Sequence, residues 1–166
     1  NLMKQFGVNV NWVNENIVVE PSEYKTKQND FSIESDWSSV SYWYSIAALS
    51  NDCELILNEF STNSLQADSV LPKIYSELGV NTKFNNNQII LTKNKTNLTN
   101  LNYDFSNCPD IAQTIAATCV GLNITCNLTG LKTLKIKETD RIQALKNELE
   151  KFGVEIEITD ESLKIV

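Results

Sequence analysis

One phrase recurs three times along the chain and limits what it can fold into. Leu2-Met3-Lys4-Gln5-Phe6-Gly7-Val8 leads on to Asn16-Ile17-Val18-Val19. Ile74-Tyr75-Ser76-Glu77-Leu78-Gly79-Val80 leads on to Gln88-Ile89-Ile90-Leu91, and Leu149-Glu150-Lys151-Phe152-Gly153-Val154 to Ser162-Leu163-Lys164-Ile165. Each copy reads as a helix end, a left-handed glycine that closes it, a strand, a polar turn and a second strand. The glycines lie 72 and 74 residues apart, so each period holds more than one helix.

The intervening segments fill in the unit. One period predicts a strand at 31–34, a helix at 38–49, a strand at 54–58 and a helix from about Ser69 to Leu78. The next predicts a strand near 103–105, a helix from Pro109 to Leu122, a strand at 124–128, a short strand near 134–136 and a helix from Glu138. The helix after Pro109 carries Ile111, Ile115 and Cys119 on one row and Ala112, Ala116 and Val120 on the next, a pattern for burial nearly all round. The helix before Leu49, with Tyr42, Trp43, Ile46, Ala47 and Leu49, is expected to match it. The Glu138 helix is two-faced, with Gln143, Lys146, Asn147 and Glu150 outside. The expected fold class is mixed α/β (α+β): repeated β-α-β-α-β-β units, with sheets around buried helices. Two units are full, and the tail of another precedes them. Residues 1–28 would be that tail and a domain crossover, with polar, aperiodic residues around Pro21. Residues 29–166 would be two units of one incomplete domain. Both ends read as cut through an element, as expected of a segment from a longer protein.

Composition excludes several classes. At 166 residues and 42% apolar content the chain can bury a core. The net charge of −7 lacks the basic footprint that nucleic acid requires. No apolar run reaches membrane-spanning length, and no signal peptide is visible. The chain has no histidine, which removes Ser-His-Asp and Cys-His nucleophiles and most zinc sites. Proton transfer must then fall to Asp, Glu, Lys or Tyr. Cys53, Cys108, Cys119 and Cys126 lack metal or redox spacing and read as buried free thiols, which suits a cytoplasmic location.

The chemistry concentrates at Lys137-Glu138-Thr139-Asp140-Arg141, a charge cluster between two apolar patterns. At a helix start, free backbone N–H groups and the helix dipole attract anions. The same cluster also reads as an ordinary charged first turn. Asp110, beside Pro109, starts one buried helix; Asp36, 74 residues earlier, starts the other. With Ser64, Gln66 and Asp68 at a matching junction, these residues are expected to share one rim. A carboxylate able to move protons (Asp110, Glu138) would stand there beside cations able to hold phosphate or carboxylate (Lys137, Arg141).

Four motifs in this order carry a resemblance: Asp36-x-Ser38-Ser39-x-Ser41-Tyr42, Asn63-Ser64-Leu65-Gln66-x-Asp68, Pro109-Asp110-x-x-x-Thr114-Ile115-Ala116 and Lys137-Glu138-Thr139-Asp140-Arg141. Together they resemble the 5-enolpyruvylshikimate-3-phosphate synthase family over essentially the whole chain. The resemblance implies an enolpyruvyl transferase-like fold of two domains, each of three such units, with substrates between them. It implies transfer of the enolpyruvyl group of phosphoenolpyruvate to the 5-hydroxyl of shikimate 3-phosphate, in aromatic amino acid biosynthesis. Asp110 would be a base near the attacking hydroxyl and Glu138 an acid/base near the methylene carbon. Lys137 would contact shikimate 3-phosphate and Arg141 phosphoenolpyruvate, with Asp36 and Gln66 supporting. No metal or organic cofactor is implied. The partners are the two small substrates and the remaining half of the parent enzyme, with neither nucleic acid nor membrane.

The chain departs from the family pattern in places. Thr133 stands where some members have Asn, and Asn107-Cys108 where some have His-Ile. The family's amino-terminal Lys and Arg, its Ser-Ser-Gln phosphate loop and its late His-Arg and Lys have no counterpart, so the segment alone is expected to be inactive. Two alternatives remain: the related UDP-N-acetylglucosamine enolpyruvyl transferase, which uses a Cys on a mobile loop, and a non-catalytic RNA-cyclase-like repeat module.

Overall fold

A computed structural model describes residues 1–25 and 31–166. They fall into two compact units, Asn1–Ile33 and Glu34–Val166. The expected domain boundary at 28/29 lies outside the described residues.

The first unit holds a four-residue helix α1 (Leu2–Gln5) and an antiparallel hairpin of β1 (Val10–Val13) and β2 (Asn16–Val19). The Phe6 ring packs against Tyr24 and Phe31, and Val8 is buried.

The second unit contains both expected repeats, the first of them without its leading strand. The first comprises α2 (Trp37–Leu49), β3 (Glu54–Asn58), α3 (Leu71–Glu77), β4 (Val80–Asn85) and β5 (Gln88–Lys93). The second comprises β6 (Asn100–Asp104), α4 (Ala112–Leu122), β7 (Thr125–Thr129), α5 (Arg141–Leu149), β8 (Ile156–Ile158) and β9 (Leu163–Ile165). The sheets run β3-β5-β4 and β6-β7-β9-β8. β3, β5 and β4 thus occupy the places of β7, β9 and β8, all antiparallel, while β6 adds a parallel edge beside β7. Alternate residues of each sheet face the core: Ile89 and Leu91 in one, Leu101, Cys126, Leu128, Leu163 and Ile165 in the other. Helices α2 and α4 pack against each other, α3 against β4 and α5 against β8.

The three repeat glycines adopt φ of +80°, +84° and +83° at Gly7, Gly79 and Gly153, the left-handed geometry that closes each helix before its strand. The β4–β5 turn is Asn86-Asn87, with Asn86 at φ 54°, as a tight hairpin requires.

Four expectations are corrected. Residues 31–34 form no strand: Ile33 is 81% exposed, so the alternation of Phe31 and Ile33 has no core to face. The stretch near 134–136 is not a strand but part of a 3₁₀ turn, Lys132–Ile136. Leu131 and Leu134 are both buried, the Leu134 amide bonds the Leu131 carbonyl at 2.8 Å, and Ile136 is exposed. That spacing of three is a helical period, not a strand's. Helix α5 starts at Arg141, not Glu138, because Asp140 caps it by accepting from the Gln143 amide. Finally, α2 is not buried all round. Trp37, Val40, Tyr44, Ala47 and Ala48 are buried, but Tyr42, Trp43, Ile46 and Leu49 are exposed. By contrast α4 is buried along both expected rows, with only Val120 part-covered.

Candidate functional site

The start of α2, the start of α4 and the segment before α5 meet around a cleft of about 250 Å³. It is lined by Ser38, Ser39, Ser41, Tyr42, Asp110, Gln113, Thr114, Lys137 and Arg141. Pro109 pre-sets the 3₁₀ turn Pro109–Ile111 that leads into α4, and Asp110 projects from that turn. Across the cleft Lys137 Nζ lies 3.1 Å from Asp110 Oδ1, and Arg141 Nη1 lies 3.5 Å from the same oxygen. Arg141 Nη2 reaches Glu138 Oε2 at 2.6 Å. The four charged residues named from sequence are therefore brought together in one linked group. Asp110, Lys137 and Arg141 face the cleft; Glu138 stands beside it, exposed, in the connection before α5.

Asp36 and Gln66 are part of the frame behind this cleft. Asp36 caps α2, accepting from the Ser38 and Ser39 amides at 3.1 Å each. Bonding from the Ser39 hydroxyl, then from the two amides, holds its carboxyl below the ordinary value despite some desolvation. The Gln66 carboxamide accepts from the Trp37 amide at 2.9 Å and donates to the Ser35 carbonyl at 2.8 Å. These contacts correct one expectation. The amides at the start of α2 do not stand free for an anion, because Asp36 and Gln66 occupy them, and Asp140 does the same for Gln143 in α5. Positive charge in the cleft comes from side chains.

Two carboxylates were underweighted in sequence. Glu34 accepts from Trp37 Nε1, the Ser61 amide, Ser64 Oγ and Gln66 Nε2, tying the 59–66 loop to α2. Burial pushes its carboxyl up, and the bonds from Ser64, Trp37, Ser61 and Gln66 more than reverse this, leaving it below its ordinary value. Asp68 is buried against Ser38 Oγ. Desolvation first, then Asp110 and Asp36, push its carboxyl up against the lowering bond from Ser38. No local pattern marks either residue, since all of their partners but Trp37 lie about 30 residues away. A second seam was not read from sequence: Ser41 meets Thr114 and Ser45 meets Thr118 between α2 and α4, each pair 73 residues apart, one short of the repeat interval of 74.

As arranged, the group can hold an anion on Lys137 and Arg141 and take a proton on Asp110 or Glu138. Glu138 is held below its ordinary value by its own amide first and then by Arg141. Cysteine chemistry finds no support. Cys108, Cys119 and Cys126 are buried, Cys53 is partly so, and all four are free. The Cys108 thiol, two residues before Asp110, is pushed up to about 11 by burial and by Asp68 and Asp104, so it stays protonated.

Comparison with known proteins gives the following. The sequence model of EPSP synthase (3-phosphoshikimate 1-carboxyvinyltransferase) matches residues 1–166. The chain is 46% identical over 153 residues to a 3-phosphoshikimate 1-carboxyvinyltransferase of Bacteroides fragilis (strain ATCC 25285), covering 92% of this chain and 37% of that protein. It is 30% identical over 167 residues to the protein of that name from Buchnera aphidicola subsp. Cinara cedri, covering 99% and 38%. The solved structure of EPSP synthase from Acinetobacter baumannii superposes with a TM-score of 0.69 at 19% identity, over 99% of this chain and 39% of that one. The chain thus spans a little over a third of the length of the curated relatives it matches.

Proposed function

We infer, because the chain belongs to the EPSP synthase (3-phosphoshikimate 1-carboxyvinyltransferase) family, that residues 34–166 supply one wall of an enolpyruvyl transfer site. The reaction moves the enolpyruvyl group of phosphoenolpyruvate to the 5-hydroxyl of shikimate 3-phosphate and releases phosphate. The observation that carries this reading is the linked group of Asp110, Lys137, Arg141 and Glu138 at one cleft.

Asp110 takes the proton of the 5-hydroxyl as its oxygen attacks the enol carbon, and Lys137 beside it holds the phosphorylated substrate. Arg141 clamps phosphoenolpyruvate, with two parallel bonds available from the guanidinium. Glu138 delivers a proton to the methylene carbon to form the tetrahedral intermediate, and removes one as phosphate leaves. The contact between Arg141 and Glu138 gives the clamp a coupling. Arg141 is bound to Glu138 and lowers its carboxyl. An anion that takes over the guanidinium releases Glu138, which can then hold the proton it must deliver. Binding of the second substrate and arming of the acid thus become one event. We place the protein in the cytosol on the strength of its free thiols.

The test uses the full-length protein that carries these residues, supplied with both substrates and assayed for phosphate release. Glu138→Gln should retain binding and lose about 10²- to 10⁴-fold in turnover, the range for a lost proton-transfer group. Unchanged turnover in that variant would remove Glu138 from its role. The 166-residue chain alone should release no phosphate, and measurable release would contradict its being one wall of a larger site.

A further inference from the structure

Five hydroxyl-bearing residues line the cleft, and four of them, Ser38, Ser39, Ser41 and Thr114, are tied to one another or to carboxylates behind them. Each has one proton to give and two lone pairs. The protons can be assigned in turn. Ser38 Oγ donates to the Asp68 carboxylate, and Ser39 Oγ donates to Asp36. Ser41 Oγ donates at 2.6 Å to the Ser38 carbonyl, which cannot donate back. Ser41 then has no proton left for Thr114 at 2.9 Å, so Thr114 is the donor in that pair. All four protons point into the protein, so these four oxygens offer a ligand only lone pairs, while Tyr42 and Gln113 on the same cleft keep donors.

The neighbouring backbone donors are engaged as well, Trp37 N–H on Gln66 and the Ser38 and Ser39 amides on Asp36. A phosphate or carboxylate oxygen set against these hydroxyls would meet acceptors with no proton between them. A ligand hydroxyl would meet partners for its proton. The cleft is thus polarised, with cations at Lys137 and Arg141 and a patch of acceptor oxygens at Ser38, Ser39, Ser41 and Thr114. We propose that this wall selects the hydroxyl-bearing side of a phosphorylated polyol, with Ser38 as a specificity-determining acceptor and Asp68 as the positioning residue that keeps the Ser38 proton turned away. Asp68 is buried and Ser38 lies between it and the cleft, so the carboxylate acts on the ligand only through that hydroxyl. The identity of the polyol, shikimate 3-phosphate, rests on the proposed function.

The experiment measures competition by analogues of shikimate 3-phosphate against the full-length enzyme, each free hydroxyl being replaced in turn by hydrogen and by fluorine. Fluorine can accept weakly but cannot donate. At the position facing the wall, hydrogen should weaken binding about tenfold, the scale of one net hydrogen bond, and fluorine at least as much. Ser38→Ala should erase the difference between the hydroxyl compound and its replacements. Asp68→Ala, which frees the Ser38 proton to turn outward, should make fluorine better tolerated than hydrogen. Competition in which the wild type prefers fluorine over hydrogen at every free hydroxyl, with turnover of the natural substrates intact, overturns this inference and leaves the proposed function standing. A wild-type enzyme that releases no phosphate from the two substrates together overturns both.

Discussion

Gly79 and Gly153 are repeat mates with nearly the same backbone angle, φ +84° and +83°, yet different surroundings. A Cβ at Gly79 would lie 2.7 Å from the Asn94 carbonyl oxygen and 3.4 Å from Thr96, whereas one at Gly153 would have nothing within 4 Å. Replacing either by Ala forces an L side chain into left-handed geometry, a strain of roughly 1–2 kcal/mol. Either replacement also removes the same freedom from the unfolded chain, worth about 0.4–1 kcal/mol in the opposite direction. Gly153→Ala should therefore cost about 1 kcal/mol. Gly79→Ala carries an additional displacement of backbone, because the Asn94 amide bonds the Gly79 carbonyl at 2.8 Å and holds the carbonyl segment in place. Crowding of this kind costs about 1–3 kcal/mol, giving a total of about 2–4 kcal/mol. Urea denaturation of the two variants, compared at equal m-value, isolates the steric part, since strain and unfolded-state effects cancel between them. Equal midpoints would refute the claim that the second repeat's glycine is crowded and the third's is not.

Other outcomes follow from the site. Asp36→Ala should cost about 1–2 kcal/mol through loss of the α2 cap. Because the Asp36 carboxyl lies below its ordinary value when folded, its stabilisation is present above that value and is lost as pH falls through the folded one; a denaturation series across the acid limb checks this. Asp68 behaves oppositely. Its raised carboxyl favours the folded state at low pH and loses that contribution as pH rises through the folded value, so Asp68→Asn should gain on the wild type over the same rise. Arg141→Ala in the full-length enzyme should mainly weaken apparent affinity for phosphoenolpyruvate, and an unaltered affinity in steady-state kinetics would contradict the clamp.

The repeat was legible because glycine has a mechanical reason to recur wherever a helix must turn left-handed into a strand, and the hairpins followed from it. The two apolar rows of α4 were legible for a similar reason, since periodicity reports burial when neighbours exist on both sides. On α2 the pattern misled: Tyr42, Trp43, Ile46 and Leu49 are apolar, but each stays about half exposed or more. Leu131, Leu134 and Ile136 read as a short strand, but the 2.8 Å bond from the Leu134 amide to the Leu131 carbonyl closes a turn instead. Asp110, Lys137, Glu138 and Arg141 were found from charge at element junctions. Glu34 and the role of Asp68 were not, because a carboxylate that organises a loop 30 residues away leaves no local signature.

The most direct measurement is a crystal structure of the full-length protein with shikimate 3-phosphate bound. Its 5-hydroxyl should lie about 3 Å from the Asp110 carboxylate, within hydrogen-bond reach for proton abstraction, with the Lys137 ammonium against the same ligand. A ligand seated away from Asp110 and Lys137, or turned so that its phosphate faces Ser38 and Thr114, would contradict the site described above.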